Sequence, residues 1–405
     1  MKSILMRITL ISLLFVLFIP NLTSAESKTF IKEYTYHASD FDSKISSRTI
    51  ALEQVKRLLL EEVGTYIISE TDVRDFQLTK DKITTLAAGI VQAEILDEKW
   101  DGKEYYLKAK MSIAPQEVAK ALAGFRENSQ KNRELEETNR RVDEALKKIK
   151  KLQDELVAGR HPESKQDEYL KVVDELKSKE WLDKGVAFMN AENYEGALTA
   201  FNNAVETNPK SSWAYIDKGW ALNSLGDFYQ ALKEFNRAAD IDPLNPWIYV
   251  NRGMSYNSLG DYRQGLLNAE KAISVDANIS WAYIGRGWAY IGLGNFSQAL
   301  ADLAKASQLE PKNPFVYSTR AWAHNAQGNT RKAAEDLERS INLAPNNSWM
   351  LWNRAVYYAL SGEKGKSIAD LEKAIRVNGN LKQRAKTDKN FQSLWNDIGF
   401  RKLVE

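Results

Sequence analysis

The chain has 405 residues, enough for several domains of about 100–200 residues each, and an apolar content of 43% disfavours global disorder. It contains no cysteine, which excludes disulfides, thiol nucleophiles and an N-terminal lipidated cysteine. Lys and Arg number 56 against 54 Asp and Glu, and the two extra cations, Lys2 and Arg7, lie at the extreme N-terminus. Because the rest is balanced, nucleic acid is disfavoured as the main partner.

The first 25 residues have the pattern of a secretory signal. Lys2 and Arg7 precede an apolar run over 8–19, and small residues end it at Thr23-Ser24-Ala25. The run is shorter than the ~20 residues that span a bilayer, which disfavours an uncleaved anchor. The sequence therefore predicts cleavage after Ala25 and an exported, soluble periplasmic protein that is not a lipoprotein and does not insert into the membrane after cleavage.

Residues 26–123 are predicted to form a small α+β domain. A strand is expected near 29–36, a helix from Ser43 that Gly64 ends, a strand over 65–68 and a second helix over 79–89. The strongest signal is a β-hairpin that turns at Asp101-Gly102, with alternating apolar residues before and after it. Pro115 is predicted to begin a further helix.

Two segments of this domain, RTIALEQVKRLLLEEVGTYI (48–67) and YYLKAKM (105–111), resemble a family of exported bacterial envelope domains. The family includes the N-terminal domain of flagellar assembly protein T and related small outer-membrane lipoproteins. The resemblance implies an envelope location and a docking role. The lipoproteins' cysteine is absent from this chain, so their membrane anchor does not carry over.

Residues 124–177 are predicted to form a charged helical connector. Leu135, Val142, Ile149 and Leu156 recur every seven residues, with charged residues between them. Two interpretations stay open: a short coiled coil that makes a homodimer, or a single helix that lies on its neighbours or acts as a spacer. The sequence Gly159-Arg160-His161-Pro162 ends the pattern.

Residues 178–381 repeat with a period of 34. Small residues recur in three registers, and the first unit reads Trp181, Gly185, Phe188, Ala197, Phe201, Ala204 and Pro209. This pattern resembles the tetratricopeptide repeat (TPR), which implies six helix hairpins stacked into a right-handed α-solenoid. The chain is thus expected to be mostly α. Before each Gly or Ala of the first register lies a basic residue, whose stem is expected to cover apolar surface with its charge in solvent: Lys184, Lys218, Arg252, Arg286, Arg320 and Arg354. Residues 382–405 are predicted to form a C-terminal capping helix.

The resemblance implies that the first helix of each repeat lines a concave groove. Large aromatic residues occupy its second and ninth positions, and Asn and Asp lie among them. Two interpretations stay open: the aromatic rings are core, or several stay partly exposed as a peptide-binding strip. The predicted partner-binding residues are Trp213, Trp220, Asn223, Trp247, Asn251, Asn257, Trp281, Trp288, Phe315, Trp322 and Trp349, with Asp217 and Asn353 as polar neighbours. The basic cluster of a carboxylate-binding TPR groove is missing, since Lys179 is alone.

No phosphate-binding loop, nucleophile elbow or metal-ligand spacing occurs, so no catalytic residue, metal or cofactor is predicted. The sequence favours a non-enzymatic adaptor or scaffold that binds a protein or peptide of the cell envelope in the aromatic groove. The alternative is a structural subunit of an envelope assembly, such as secretion, appendage or outer-membrane machinery. An enzyme or small-ligand binder that uses the N-terminal sheet is a third hypothesis.

Overall fold

The computed structural model describes residues 27–70, 93–114, 129–158 and 162–405. The predicted signal, the predicted helix over 79–89 and the predicted helix start at Pro115 lie outside these ranges. Within them, no helix combines the length and the apolar character that crossing a bilayer requires.

The N-terminal domain contains an antiparallel sheet in the order β1-β3-β2, formed by β1 (Lys28–His37), β2 (Glu94–Trp100) and β3 (Glu104–Ile113). The predicted hairpin is confirmed. The Asp101 side chain accepts hydrogen bonds from the backbone N–H groups of Lys103 and Glu104 at 2.8 and 2.7 Å, and Gly102 takes a left-handed φ of 100°. Alternate residues of β3 are buried against helix α1 (Lys44–Glu70).

Helix α1 corrects one prediction, because it continues through Gly64 and includes the segment expected to be a strand at 65–68. Val55, Leu59, Val63 and Ile67 are four residues apart and nearly inaccessible to solvent. This stripe packs in one core on both sides of the glycine, so tertiary packing outweighs the local preference of glycine for a helix end.

The connector is a helix hairpin of α2 (Ser129–Val157) and α3 (Pro162–Asn190) that shares the core of the sheet domain. The heptad residues Ile149 and Leu156 are buried there and Val142 packs partly buried against the same core, so this part of the stripe proposed as a dimer seam is covered within the chain. Asp42 fixes the junction, since its carboxylate accepts hydrogen bonds from Tyr36, Tyr169 and Gln153. A coiled-coil homodimer through this stripe would require the core to open.

Helix α3 joins the two parts of the molecule without a break. It crosses the expected boundary at 177/178 and supplies the first helix of repeat 1. From α1, Arg48 forms an ion pair with Glu180 at 3.2 Å, and Lys56 lies 3.9 Å from Asp183. The N-terminal domain is therefore docked on repeat 1 rather than held at a distance by a spacer.

Six helix hairpins follow the 34-residue period, as predicted. We call the first and second helices of each repeat helix A and helix B. Repeat 1 consists of α3 and Tyr194–Thr207. The later repeats are Ser212–Leu225 with Phe228–Ile241, Pro246–Ser258 with Tyr262–Val275, Ser280–Gly292 with Phe296–Leu309, Pro314–Ala326 with Thr330–Leu343, and Ser348–Leu360 with Lys364–Val377.

The small residues allow helices A and B to approach closely. A Cβ placed on Gly185 would lie 2.2 Å from the ring of Phe201, and one on Gly219 would lie 2.5 Å from that of Phe235. Both rings are fully buried. Only a residue without a side chain fits at these two crossings.

In repeats 2 to 6 the basic residue has a different role from the one expected. Lys184 of repeat 1 lies over the ring of Trp181 at 4.4 Å and keeps a half-exposed side chain, as expected. The residue of helix B sixteen positions later is a buried acid in four repeats, and helix A pairs with it. Arg320 contacts Asp336 through two hydrogen bonds of 2.6 and 2.8 Å. The other pairs are Lys218–Glu234, Arg286–Asp302 and Arg354–Asp370, while Arg252 contacts the neutral Asn268 at 2.6 Å. These charges are therefore internal cross-links of the hairpins, which we call the A–B ladder.

The array coils tightly enough for repeat 1 to contact repeat 6. Glu192, in the turn of repeat 1, accepts hydrogen bonds from the backbone N–H of Ser348 at 3.3 Å and from its hydroxyl group. The indole of Trp349 contacts the hydroxyl group of Tyr194 nearby. Glu192 has φ 54°, whereas glycine occupies the same left-handed position in the later repeats.

The C-terminal segment covers the last hairpin as expected, but it is not one helix. It consists of Leu381–Thr387, a 3₁₀ turn over Lys389–Leu394, and Ile398–Val404. Phe391, Leu394 and Phe400 are buried against repeat 6. Asp388 and Asp397 accept hydrogen bonds from the N–H groups of the two later segments, and so interrupt the helix.

Candidate partner-binding groove

Helices A form the inner side of the array. Helices A of successive repeats contact one another extensively, whereas helices B do so far less. An array in which one set of helices lies closer together curves toward that set. The second, sixth and ninth positions of helix A lie one turn apart on the same face of the helix, and we call them the three groove rows.

The second-position row is a continuous series of aromatic side chains. Successive members share hydrophobic clusters from repeat 2 to repeat 6, and the rings of Trp281 and Phe315 lie 4.9 Å apart. Every member is partly exposed: Trp213, Trp247, Trp281, Phe315 and Trp349. These rings thus pack on one another and still present a face to solvent.

The ninth-position row adds further indoles. Trp220 is 39% exposed, and Trp288 and Trp322 are partly exposed. By contrast, Trp352 is 3% exposed and packs edge-on against Phe391 at 5.0 Å. The structure therefore separates core indoles from groove indoles, which the sequence could not do.

Trp349 is already engaged within the chain. It contacts Tyr194 across the junction of repeats 1 and 6, and the guanidinium group of Arg384 lies 4.8 Å from its ring. A partner that used this indole would have to displace or share these contacts. The junction of repeats 1 and 6 thus occupies one end of the groove, and repeats 2 to 5 lie away from it.

The three predicted asparagines have different environments. Asn257 is 2% exposed, and its amide group donates to the carbonyl of Gly285 at 2.9 Å. Its assignment to the groove surface is therefore corrected, because it joins two helices inside the array. Asn251 donates to the carbonyl of Trp247, and Asn223 accepts from Ser255 at 2.8 Å, and both remain partly exposed.

The sequence analysis named Asp217 as a polar neighbour of the groove aromatic residues and predicted no role for it. It lies in the sixth-position row between Trp213 and Trp220, and no ion pair or hydrogen bond of its carboxylate occurs among the described residues. Burial raises the pKa of Asp217 from 3.8 to about 7. In the sequence, the signal for a role of Asp217 was a charged residue at a groove position between two tryptophans.

Models of a known repeat family match the sequence of the helical array. A tetratricopeptide repeat model matches residues 182–246, and a second one matches 248–279, 282–313 and 316–347. No curated protein matches the chain.

Solved structures of the same repeat type cover about half of the chain. A thermophilic TPR protein of Thermus thermophilus, TTC0263, is 23% identical, and the match covers 45% of this chain and 97% of that one with a TM-score of 0.41. A tetratricopeptide repeat protein of Parabacteroides merdae is 20% identical over 56% of this chain and 97% of its own, with a TM-score of 0.36.

YrrB, described as "a TPR protein with an unusual peptide-binding site", is 21% identical over 46% and 97% of the two chains, with a TM-score of 0.30. At these identities the likeness concerns the fold. The helical array of this chain is a tetratricopeptide repeat solenoid, attached to an N-terminal α+β domain.

Proposed function

We propose that the chain is a non-enzymatic adaptor of the bacterial envelope, which is exported through its N-terminal signal and binds a protein or peptide in the aromatic groove. TPR solenoids are protein-interaction scaffolds, and this supports the general role. The observation that carries the groove assignment is the series of aromatic side chains along the inner face, all of them partly exposed.

Physical reasoning favours binding over a purely structural role for these rings. An exposed aromatic strip leaves apolar surface in water, and burial of such surface contributes about 25 cal/mol per Å². Monomeric proteins seldom leave large continuous apolar patches uncovered. Rings that already pack on one another are also rigid, so a partner loses little of its binding energy in ordering them.

The docked N-terminal domain supports an adaptor with two surfaces. Repeat 1 is covered on its groove side by α1, since Lys56 and Glu53 lie against Asp183 and Lys179 there. Among the described residues, α1 therefore covers the groove at repeat 1. Exposed side chains of β1 such as Ile31 offer a surface for a second contact in the envelope.

Site-specific photo-crosslinking in cells of the source bacterium tests the proposal. A benzoylphenylalanine in place of Trp220 is expected to capture a distinct protein. The matched control replaces Tyr229, a 70% exposed aromatic residue on helix B of the same repeat. The groove assignment is wrong if the two positions capture the same set of proteins. Fractionation of the cells, with N-terminal sequencing of the product, tests export and cleavage after Ala25.

A further inference from the structure

The groove rows, all within the described range 162–405, carry only three charged side chains among the six repeats: Lys179, Asp183 and Asp217. The first two neutralise each other, because the ammonium group of Lys179 donates to the carboxylate of Asp183 at 2.7 Å. Both also lie beside α1 of the N-terminal domain. All other positions in these rows hold neutral residues, so within this range Asp217 is the one groove charge without a counter-charge.

Other buried acids of the array are paired with basic residues and thereby connect helices A and B. Glu234, Asp302, Asp336 and Asp370 are each buried, and each contacts a basic residue of helix A. Asp217 has no such partner and makes no hydrogen bond within the described residues. A partly buried carboxylate that stabilises nothing in the fold costs free energy, since it loses hydration without compensation. A bound group can supply that compensation.

The side chains around Asp217 indicate the charge and chemical class of that bound group. Trp213 and Trp220 lie four residues before it and three after it on the same helix face, and both expose part of their rings. Helix A of repeat 3, which contacts this helix, contributes Trp247 and Asn251. Aromatic faces attract cations, and Lys or Arg placed over them gains from both the rings and the carboxylate. An anionic group there would meet repulsion from the carboxylate.

We propose that the groove at repeats 2 and 3 binds a Lys or Arg side chain of a partner peptide, held between the exposed indoles and paired with Asp217. This inference rests on the proposed function, since it names the chemistry of the partner that the groove binds. The basic residue sets the register of the peptide, because the described groove rows offer no second unpaired charge. The neighbouring aromatic residues then accommodate apolar side chains on either side of it.

Peptide selection followed by a double-mutant cycle tests the inference. A random linear peptide library displayed on phage is selected on the full chain and then depleted on the Trp213→Ala/Trp247→Ala variant, whose fold is first checked by circular dichroism. The best peptide is synthesised as selected and with each Lys or Arg replaced by norleucine. Fluorescence anisotropy then measures the affinity of each peptide for the wild type, for Asp217→Asn and for Asp240→Asn. The last variant removes an exposed charge on helix B of the same repeat and is the matched control.

We expect one basic residue to be required, with norleucine weakening binding to the wild type about tenfold or more. Asp217→Asn should weaken the selected peptide to a similar extent and leave the norleucine peptide unchanged, while Asp240→Asn should change neither. Groove-dependent peptides that need no basic residue, or that are acidic, overturn the inference and leave the proposed function standing. If no selected peptide depends on Trp213 and Trp247, the proposed function fails and the inference fails with it.

Discussion

The A–B ladder makes a quantitative prediction at Arg320. Replacing Arg320 with Ala leaves the carboxylate of Asp336 without the two hydrogen bonds of 2.6 and 2.8 Å that now hold it. The side chain of Asp336 is only 9% exposed, so water replaces these contacts poorly. Removing one partner of a buried pair costs about 3–5 kcal/mol. Because the side chain of Arg320 is 24% exposed, we expect a smaller loss, about 2–3 kcal/mol.

Repeat 3 provides a matched control for this substitution. Arg252 occupies the same position and contacts helix B at 2.6 Å, but its acceptor there is the neutral amide of Asn268. Both guanidinium groups also lie over a tyrosine ring, at 5.1 and 5.2 Å, so this contribution cancels in the comparison. Arg252→Ala leaves no charge unpaired and should cost about 1 kcal/mol.

Urea unfolding followed by far-ultraviolet circular dichroism measures both variants. Slightly alkaline buffer keeps His324 neutral, since this histidine lies 3.9 Å from Asp336 and would otherwise offer a replacement cation. The double variant Arg320→Met/Asp336→Leu should recover most of the loss, because neither charge is then left alone. Our reasoning is refuted if Arg320→Ala destabilises the solenoid no more than Arg252→Ala does.

Three further predictions concern packing, pH and the domain junction. Gly219→Ala should cost about 1–3 kcal/mol through its clash with Phe235. Gly285→Ala, which meets nothing within 4 Å, should instead raise the melting temperature. Because burial raises the pKa of Asp217 from 3.8 to about 7, the folded chain binds more protons than the unfolded chain between these two pH values. The unfolding free energy therefore falls as pH rises from 3.8 to about 7. The urea midpoint of Asp217→Asn should therefore exceed that of the wild type near neutral pH and converge with it in acid; a constant difference would contradict the assigned pKa. Asp42→Ala removes the acceptor shared by Tyr36, Tyr169 and Gln153. It should speed hydrogen exchange in β1 and α2 while leaving repeats 3 to 5 unchanged.

The sequence was sufficient for those features whose signals are periodic or local. The 34-residue period placed all six hairpins, and Asp101-Gly102 placed the β-turn. The end of α1 at Gly64 was predicted from a local rule, and the rule failed because the buried stripe continues from Val63 to Ile67. The A–B ladder was missed although its acids recur with the same period as its bases. Its signal was a pair of registers sixteen residues apart, which is visible only if both registers are read together.

The candidate site was less accessible from sequence. The positions of Trp213 and Trp247 on helix A followed from the repeat pattern, but exposure depends on how closely neighbouring helices approach. Asn257 shows this well, since the same register that exposes Asn223 buries Asn257 against the next repeat. The contact of Glu192 with Ser348 depends on small rotations accumulated over five repeats. A local sequence pattern does not determine the total rotation between the first and the sixth repeat.

That contact changes how the solenoid should unfold. In an open repeat array each unit interacts only with its two neighbours, so the ends fray first and unfolding spreads inward step by step. Here the hydrogen bonds between Glu192 and Ser348 connect the first unit to the sixth, so each end unit has a contact in addition to that with its sequence neighbour. The first unit is also fixed to the N-terminal domain through α3, and the sixth is covered by the C-terminal segment. With both end units held by such contacts, fraying from the ends should be suppressed. We therefore expect the six repeats to unfold in a more cooperative transition than those of an open array.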